Sequence, residues 1–167
     1  MAKEKISSLR ELFLHELKHL YSGEEQLIEA LPKMAKAASN DVLTKAFQDH
    51  LEETKKQKER LDKTGSILGE NLSGKMCKGM EGLIAEAEGL IEAEADSNVK
   101  DAGLIAAAQK VEHYEIAGYG TALNYADLIG GDKVADLLNE SLEEEKQADS
   151  KLTDIATQTV NAKAEKA

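Results

Sequence analysis

Residues 41 to 54 read Asp-Val-Leu-Thr-Lys-Ala-Phe-Gln-Asp-His-Leu-Glu-Glu-Thr, and this stretch decides the fold. Leu43, Ala46, Phe47 and Leu51 recur at intervals of three and four, which aligns them on one face of a helix with about 3.6 residues per turn. His50 lies at the centre of that face, and Glu53, one turn on, lies at its edge. An imidazole and a carboxylate among Leu and Phe are costly to bury without a partner. The apolar spacing continues through Leu61 to Leu68, and Ser39, Asn40 and Asp41 offer N-caps, so one helix is expected over roughly 41 to 68.

Working outward, Leu9, Phe13, Leu17, Leu20, Leu27, Leu31 and Met34 form a similar stripe between Ile6 and Ala38, with Pro32 expected to bend the last two turns. A polar, glycine-containing stretch from Gly69 to Gly74 follows the second helix. Met76, Met80, Leu83, Ile84, Ala87, Leu90 and Ile91 then mark a shorter amphipathic helix. Ser97 and Asn98 are candidate caps for a third long helix, whose face is read as Ala102, Ile105, Ala106, Gln109, Ile116, Leu123 and Ala126, ending at Gly130-Gly131. A fourth runs from about Asp132 to Val160 on Val134, Leu138, Leu142, Leu152, Ile155 and Ala156, and the polar end from 161 to 167 is expected to fray. No useful run alternates apolar with polar, so no strands are expected. The first and second long helices, and the third and fourth, are joined by short turns, whereas about 29 residues separate the two pairs. The reading is all-α: one domain over 1–167, a four-helix bundle with a long helical crossover between the second and third helices, an arrangement that includes the ferritin-like one.

Composition agrees. The chain has 167 residues, a length suited to one domain, and its 23 Ala and 21 Leu against no Trp and one Pro favour helix. Asp and Glu number 32 against 21 Lys and Arg, a net charge of -11, which disfavours a nucleic-acid partner. No window approaches the roughly 20 apolar residues of a membrane span, and no export-type apolar segment precedes the first helix. A single cysteine, Cys77, suits a reducing compartment, so a cytoplasmic location is expected.

The informative residues are acids and a histidine on apolar faces. Glu24 falls within the stripe of Leu20, Leu27 and Leu31. On the third long helix Glu112 lies beside Gln109 and Ile116, Glu115 is further round and His113 is on the other flank, and the wheel does not choose among the three. On the fourth, Glu145 lies between Leu138, Leu142 and Leu152, with Asp149 a turn later and Glu144 towards the flank. Depth gives an independent test. Glu24 precedes the first turn by about 14 residues and Glu53 follows it by about 12, so at about 1.5 Å per residue both lie roughly 20 Å from it. Glu115 and Glu145 lie at about the same distance from the second turn, so all four reach one mid-bundle layer. Carboxylates in a dry core take up protons or meet cations, and two divalent metals remove the penalty, as in di-iron and di-manganese bundles. The usual Glu-x-x-His is reversed here as His50-x-x-Glu53, and the fourth helix offers no His.

Other features read as ordinary structure. His15-Glu16-Leu17-Lys18-His19 has the H-E-x-x-H form of zinc proteases, but both histidines lie roughly 100° or more from the apolar stripe and no third ligand is indicated. Tyr21, Tyr114, Tyr119 and Tyr125 are read as packing or interface residues, Met76 and Met80 as core or dimer contacts, and Cys77 as a buried small side chain.

Five segments carry a resemblance: Tyr-Ser-Gly-Glu-Glu-Gln-Leu (21 to 27), Asp-His-Leu-Glu-Glu-Thr (49 to 54), Met-Glu-Gly-Leu-Ile-Ala-Glu (80 to 86), Leu-Ile-Ala-Ala-Ala-Gln-Lys-Val-Glu-His-Tyr-Glu-Ile-Ala (104 to 117) and Leu-Glu-Glu-Glu-Lys (142 to 146). In order and over nearly the whole chain they resemble the YciE/YciF-like bacterial stress proteins, nearest the YciF branch. The resemblance implies a ferritin-like, rubrerythrin-like bundle, a homodimer, a cytoplasmic location and an association with osmotic or general stress. It also implies a di-metal site carried by Glu24, His50, Glu53, Glu112, Glu115 and Glu145, with Glu144 competing for the place of Glu145. The expected activity is reaction of two iron, or alternatively manganese, ions with peroxide or oxygen, as in a peroxidase, catalase or ferroxidase. The alternative is a stress-induced structural or interaction bundle that holds no metal in the cell. An iron-storage cage is disfavoured because no additional C-terminal helix is visible, and a DNA-protecting cage by the net charge.

Overall fold

The computed structural model describes residues 6–167, and the start of the single domain expected over 1–167, residues 1 to 5, lies outside them. Local chemistry sets the helix ends. Ser8 and Glu11 form a reciprocal capping box, so α1 (Leu9–Ala37) begins just after Ile6, and it runs on through Pro32. Of the three candidate caps before α2 (Asp41–Leu68), Asn40 serves: its Oδ1 accepts from the Val42 and Leu43 amides. Gly69 ends α2 at φ 71°, a left-handed position that glycine occupies without a Cβ penalty. The crossover contains α3 (Lys78–Glu92), and α4 (Ser97–Tyr125) is capped by Asp96 rather than by Ser97 or Asn98, which lie inside its first turn. α5 (Asp132–Ile155) follows Gly131, also at positive φ. Wider π turns at Ala126–Gly130 and Ala156–Val160 extend α4 and α5, and the end expected to fray carries one more helical turn, α6 (Asn161–Ala164). There is no strand among the described residues.

The four long helices pack as a bundle, α1 against α2 and α4, and α5 against α2 and α4, while α3 lies along α1 and α4. Asp101, buried near the start of α4, accepts hydrogen bonds from the Ser39 and Asn40 amides at 2.8 Å each and ties the α1–α2 turn to the opposite hairpin. Sequence reading missed this anchor.

Two apolar clusters fill the interior. One gathers Leu27, Leu31, Met34, Leu43, Phe47, Val111 and Leu152, the other Phe13, Leu17, Leu20, Leu61, Tyr119, Leu138 and Leu142. Along every long helix the passage from one cluster to the other crosses buried polar residues: Glu24 on α1, His50, Thr54 and Gln57 on α2, Glu112 and Glu115 on α4, Glu145 on α5. The core is thus two hydrophobic lobes with a polar layer between them. Some expected core positions are exposed, namely Leu9, Met76, Leu90 and Ala106. Ala106 is displaced because α4 is covered by α1, α3 and α5 together, so its buried arc is wider than one stripe and centred elsewhere.

Candidate metal centre

In the polar layer the four long helices each contribute at least one buried acid or base. One imidazole nitrogen of His50 and one carboxylate oxygen each from Glu112, Glu115 and Glu145 lie within 4.8 Å of one another, the only such group of three or more His, Cys, Asp or Glu among the described residues. His50 Nε2 is 3.4 Å from Glu112 Oε2 and 3.9 Å from Glu145 Oε2. Both Glu112 and Glu115 face inward, which settles the choice that the helical wheel left open; His113 is exposed and pairs with Asp149 at 3.4 Å.

Glu24 lies beside this group and is fully buried. The Tyr119 hydroxyl donates a hydrogen bond to its Oε1, while Oε2 has no partner. Tyr119, read from the sequence as a packing residue, thus holds a carboxylate of the layer. Its position one turn after Glu115 on the same face of α4 was the available signal.

Glu53 is set apart. Its side chain is 43% exposed and its Oε2 stands 3.4 Å from His50 Nδ1 on the side away from the other carboxylates. With Glu53 accepting from Nδ1, the Nε2 lone pair of a neutral ring points to Glu112 and Glu145, the orientation that a carboxylate behind a metal-binding histidine imposes. Of the residues expected to converge, the structure therefore gathers His50, Glu112, Glu115 and Glu145, sets Glu24 next to them, and leaves Glu53 behind His50.

Glu144, the competitor for the place of Glu145, is held elsewhere. Arg60 reaches it with two hydrogen bonds of 2.7 Å and reaches Glu140 at 2.6 Å. Gln57 bridges the two neighbours, donating to Glu144 at 3.1 Å and to Glu145. Arg60, Gln57 and Thr54 were missed in the sequence, although the absence of apolar residues between Leu51 and Leu61 marked where the α2 stripe turns polar.

The electrostatics are those of a site short of positive charge. Burial, then the charge of Glu145, pushes the Glu24 carboxyl well above its usual pKa despite the Tyr119 hydrogen bond. Burial, then Glu24, Glu145 and Glu112, does the same to Glu115, and burial with Glu145 does so to Glu112. Burial would lower the His50 pKa, but the hydrogen bond to Glu53 and the charge of Glu145 outweigh it, and the net shift is upward. Six buried carboxylate and imidazole atoms in the layer have no hydrogen-bond partner: Glu24 Oε2, His50 Nε2, Glu112 Oε2, both Glu115 oxygens and Glu145 Oε2; the Gln57 Oε1 beside them has none either. Native interiors rarely leave such atoms unpaired, and a hard or borderline divalent cation suits this oxygen-rich set with one nitrogen. The layer could hold a metal ion.

A cavity of about 220 Å³ between α2 and α5 reaches His50 and Glu112. The H-E-x-x-H histidines are not part of the layer: their rings stack on each other at 4.4 Å, and His15 Nδ1 is 2.8 Å from Lys75 Nζ. Cys77 is buried, as expected, with its Sγ 3.0 Å from the Tyr114 hydroxyl.

Comparison with known proteins places this geometry. A family described as "Domain of unknown function (DUF892)" matches residues 8–165. Protein YciF of Escherichia coli (strain K12) is 50% identical over 161 residues, 96% of this chain and 97% of that protein. The crystal structure of the E. coli stress protein YciF superposes with a TM-score of 0.90 at 49% identity, covering 93% of this chain and 99% of that one. YcfI from Rhodopseudomonas palustris superposes with a TM-score of 0.87 at 43% identity, covering 92% and 98%.

Proposed function

The chain belongs to the DUF892 family, and from that premise we propose that it is a stress-associated, ferritin-like protein whose polar layer holds two iron or manganese ions and reacts with peroxide or oxygen. The observation that carries this reading is the convergence of six buried, unpartnered donor atoms from four helices. Glu24, His50, Glu112, Glu115 and Glu145 supply the ligands; Glu53, first read as a ligand, acts through His50. Tyr119 and Gln57 fix the carboxylates of Glu24 and Glu145, and so limit the rearrangement needed to receive a cation. A bound metal pair would neutralise the layer and supply redox capacity that the side chains lack. One cysteine cannot build a four-thiolate iron centre, so electrons come from another molecule. The association with stress follows the description of the E. coli relative. A cytoplasmic homodimer completes the proposal, and light scattering tests the assembly. Among the described residues no helix is long and apolar enough to cross a membrane.

Elemental analysis of protein purified without chelator or affinity-tag metal, followed by spectra before and after peroxide, tests the reading. About two metals per chain and a charge-transfer band that responds to peroxide are expected. Substoichiometric metal that dialyses away and does not rebind from ferrous or manganous salts would leave the metal-free structural bundle as the better account.

A further inference from the structure

The cavity beside the layer has a size and a wall chemistry that bear on what enters it. It lies between α2 and α5, whereas α3 runs along α1 and α4. Its innermost residues are His50 and Glu112, 6% and 2% exposed. Ala46, Phe47, Ala148 and Leu152 form apolar walls, and the exposed Gln147 and Lys151 stand at the mouth. Lys151 pairs with Asp49 at 3.4 Å, and the half-exposed Glu53 also lines the cavity, so its outer part is charged while Phe47, Ala148 and Leu152 give it one apolar wall.

Its volume of about 220 Å³ lies between two extremes. It is well above the roughly 10 to 15 Å³ of such space that one water needs, and so more than dioxygen or hydrogen peroxide requires. Pockets for drug-sized ligands begin near about 300 Å³, so the enclosed part suits a smaller molecule. What fits is a molecule of a handful of heavy atoms with a polar end for His50 and Glu112 and an apolar end for Phe47 and Leu152.

We propose that this cavity is the substrate pocket of the polar layer and that it takes a short-chain alkyl hydroperoxide, peroxide end inward and alkyl end against Phe47, Ala148 and Leu152. This assignment rests on the metal-centre reading. Overall, the hydroperoxide takes up two electrons and two protons, its O–O bond breaks, and an alcohol and water leave. The electrons and protons come from an external thiol, two molecules of which become a disulfide.

The test uses tert-butanol, the unreactive alcohol counterpart of tert-butyl hydroperoxide. It is titrated into the full chain, as purified and after chelator treatment, with Ala and Leu methyls read by NMR. The expected result is saturable shifts of the Ala46, Ala148 and Leu152 methyls, half-complete on the order of millimolar, while the exposed Leu128 methyls stay still. Ala148→Leu, or Ala148→Met should the first variant fold poorly, fills the space and removes the shifts. Absence of saturable shifts, or equal shifts at Leu128, overturns the pocket. In metal-loaded protein Ala148→Leu should lower the rate ratio of tert-butyl hydroperoxide to hydrogen peroxide by about tenfold or more, and an unchanged ratio overturns the substrate class. A chain that holds metal without binding tert-butanol sinks the pocket alone. One that binds tert-butanol but never holds metal sinks the hydroperoxide assignment through the metal reading, so the two failures are separable.

Discussion

Glu144 and Glu145 are adjacent on α5, yet Glu144 meets the Arg60 guanidinium at 2.7 Å while Glu145 Oε2 lies buried without a hydrogen-bond partner. The first belongs to a group in which Arg60 sits between Glu140 and Glu144, so the chain supplies its own cation. The second belongs to four carboxylates and an imidazole with which no Lys or Arg forms an ion pair among the described residues; the charge of Arg60 reaches Glu24 only as a minor influence, and Glu24, Glu112 and Glu115 are pushed towards protonation. Both groups are acidic and both bridge helices. The difference teaches that buried acids in this fold can be neutralised by an arginine, and that the polar layer withholds one. Its missing charge must come from protons or from an ion brought in from solution.

That contrast can be broken by experiment. The largest effect of a single substitution is expected from Arg60→Ala, which strands Glu144 and Glu140 beside each other. Losing one partner of a buried pair costs about 3 to 5 kcal/mol, and the partial exposure of Glu144 and Glu140 reduces this to about 2 to 3. Thermal or urea unfolding reads the loss, and an unchanged melting temperature would show that this group does not need its cation.

Similar in size, ion for ion, is the response of the layer to metal. Manganous or ferrous ion at 100 times its dissociation constant should stabilise the chelator-treated protein by about 2.7 kcal/mol for each ion bound. Glu115→Gln combined with Glu145→Gln should abolish that gain and leave the metal-free fold equal or more stable, because repelling charges are gone. Calorimetry with and without metal decides; a full metal response in the double variant would remove the layer from consideration.

A smaller effect follows from pH. Glu24, Glu112 and Glu115 hold their protons to higher pH in the folded chain than in the unfolded one, where glutamate titrates near about 4.3. Their contribution is therefore fully present below that pH and lost as pH rises through the folded values. His50, raised from about 6.5, has the same sign. Metal-free protein should melt higher at pH 5 than at pH 8, while saturating metal should flatten or invert the trend. Melting curves that rise from pH 5 to pH 8 without metal would contradict the charge deficit.

Tyr119→Phe should cost about 1 to 3 kcal/mol by leaving the second Glu24 oxygen without its donor. The smallest effect belongs to His113→Ala, within about 0.5 kcal/mol and without change in bound metal, because that ring is exposed outside the layer.

Much of this was legible beforehand. Three of the four long helices kept a single apolar stripe, so the faces of Glu24, His50 and Glu145 and the depth of Glu24 and Glu145 followed from spacing and helical rise, whereas depth alone put Glu53 in the layer although its side chain stands behind His50. On α4 the spacing failed, because packing from three sides buries Leu104, Ala107, Val111, Glu112 and Glu115 over a broad arc. The wheel placed Glu145 inward and Glu144 towards the flank, but it could not show what holds Glu144, since that partner, Arg60, is 84 residues away on α2. Tyr119 and Gln57 were hidden for another reason: both are amphipathic enough to pass for core or surface until the carboxylate they hold is located.

The connection between α2 and α4 has one more consequence. Glu24 and His50 belong to the first hairpin, and Glu112, Glu115 and Glu145 to the second, on either side of the strap that carries α3. Neither half owns a complete set of donors. An ion bridging them would act as a clasp that recognises the joined molecule and ignores each fragment, so its capture would report the coincidence of two separately formed halves.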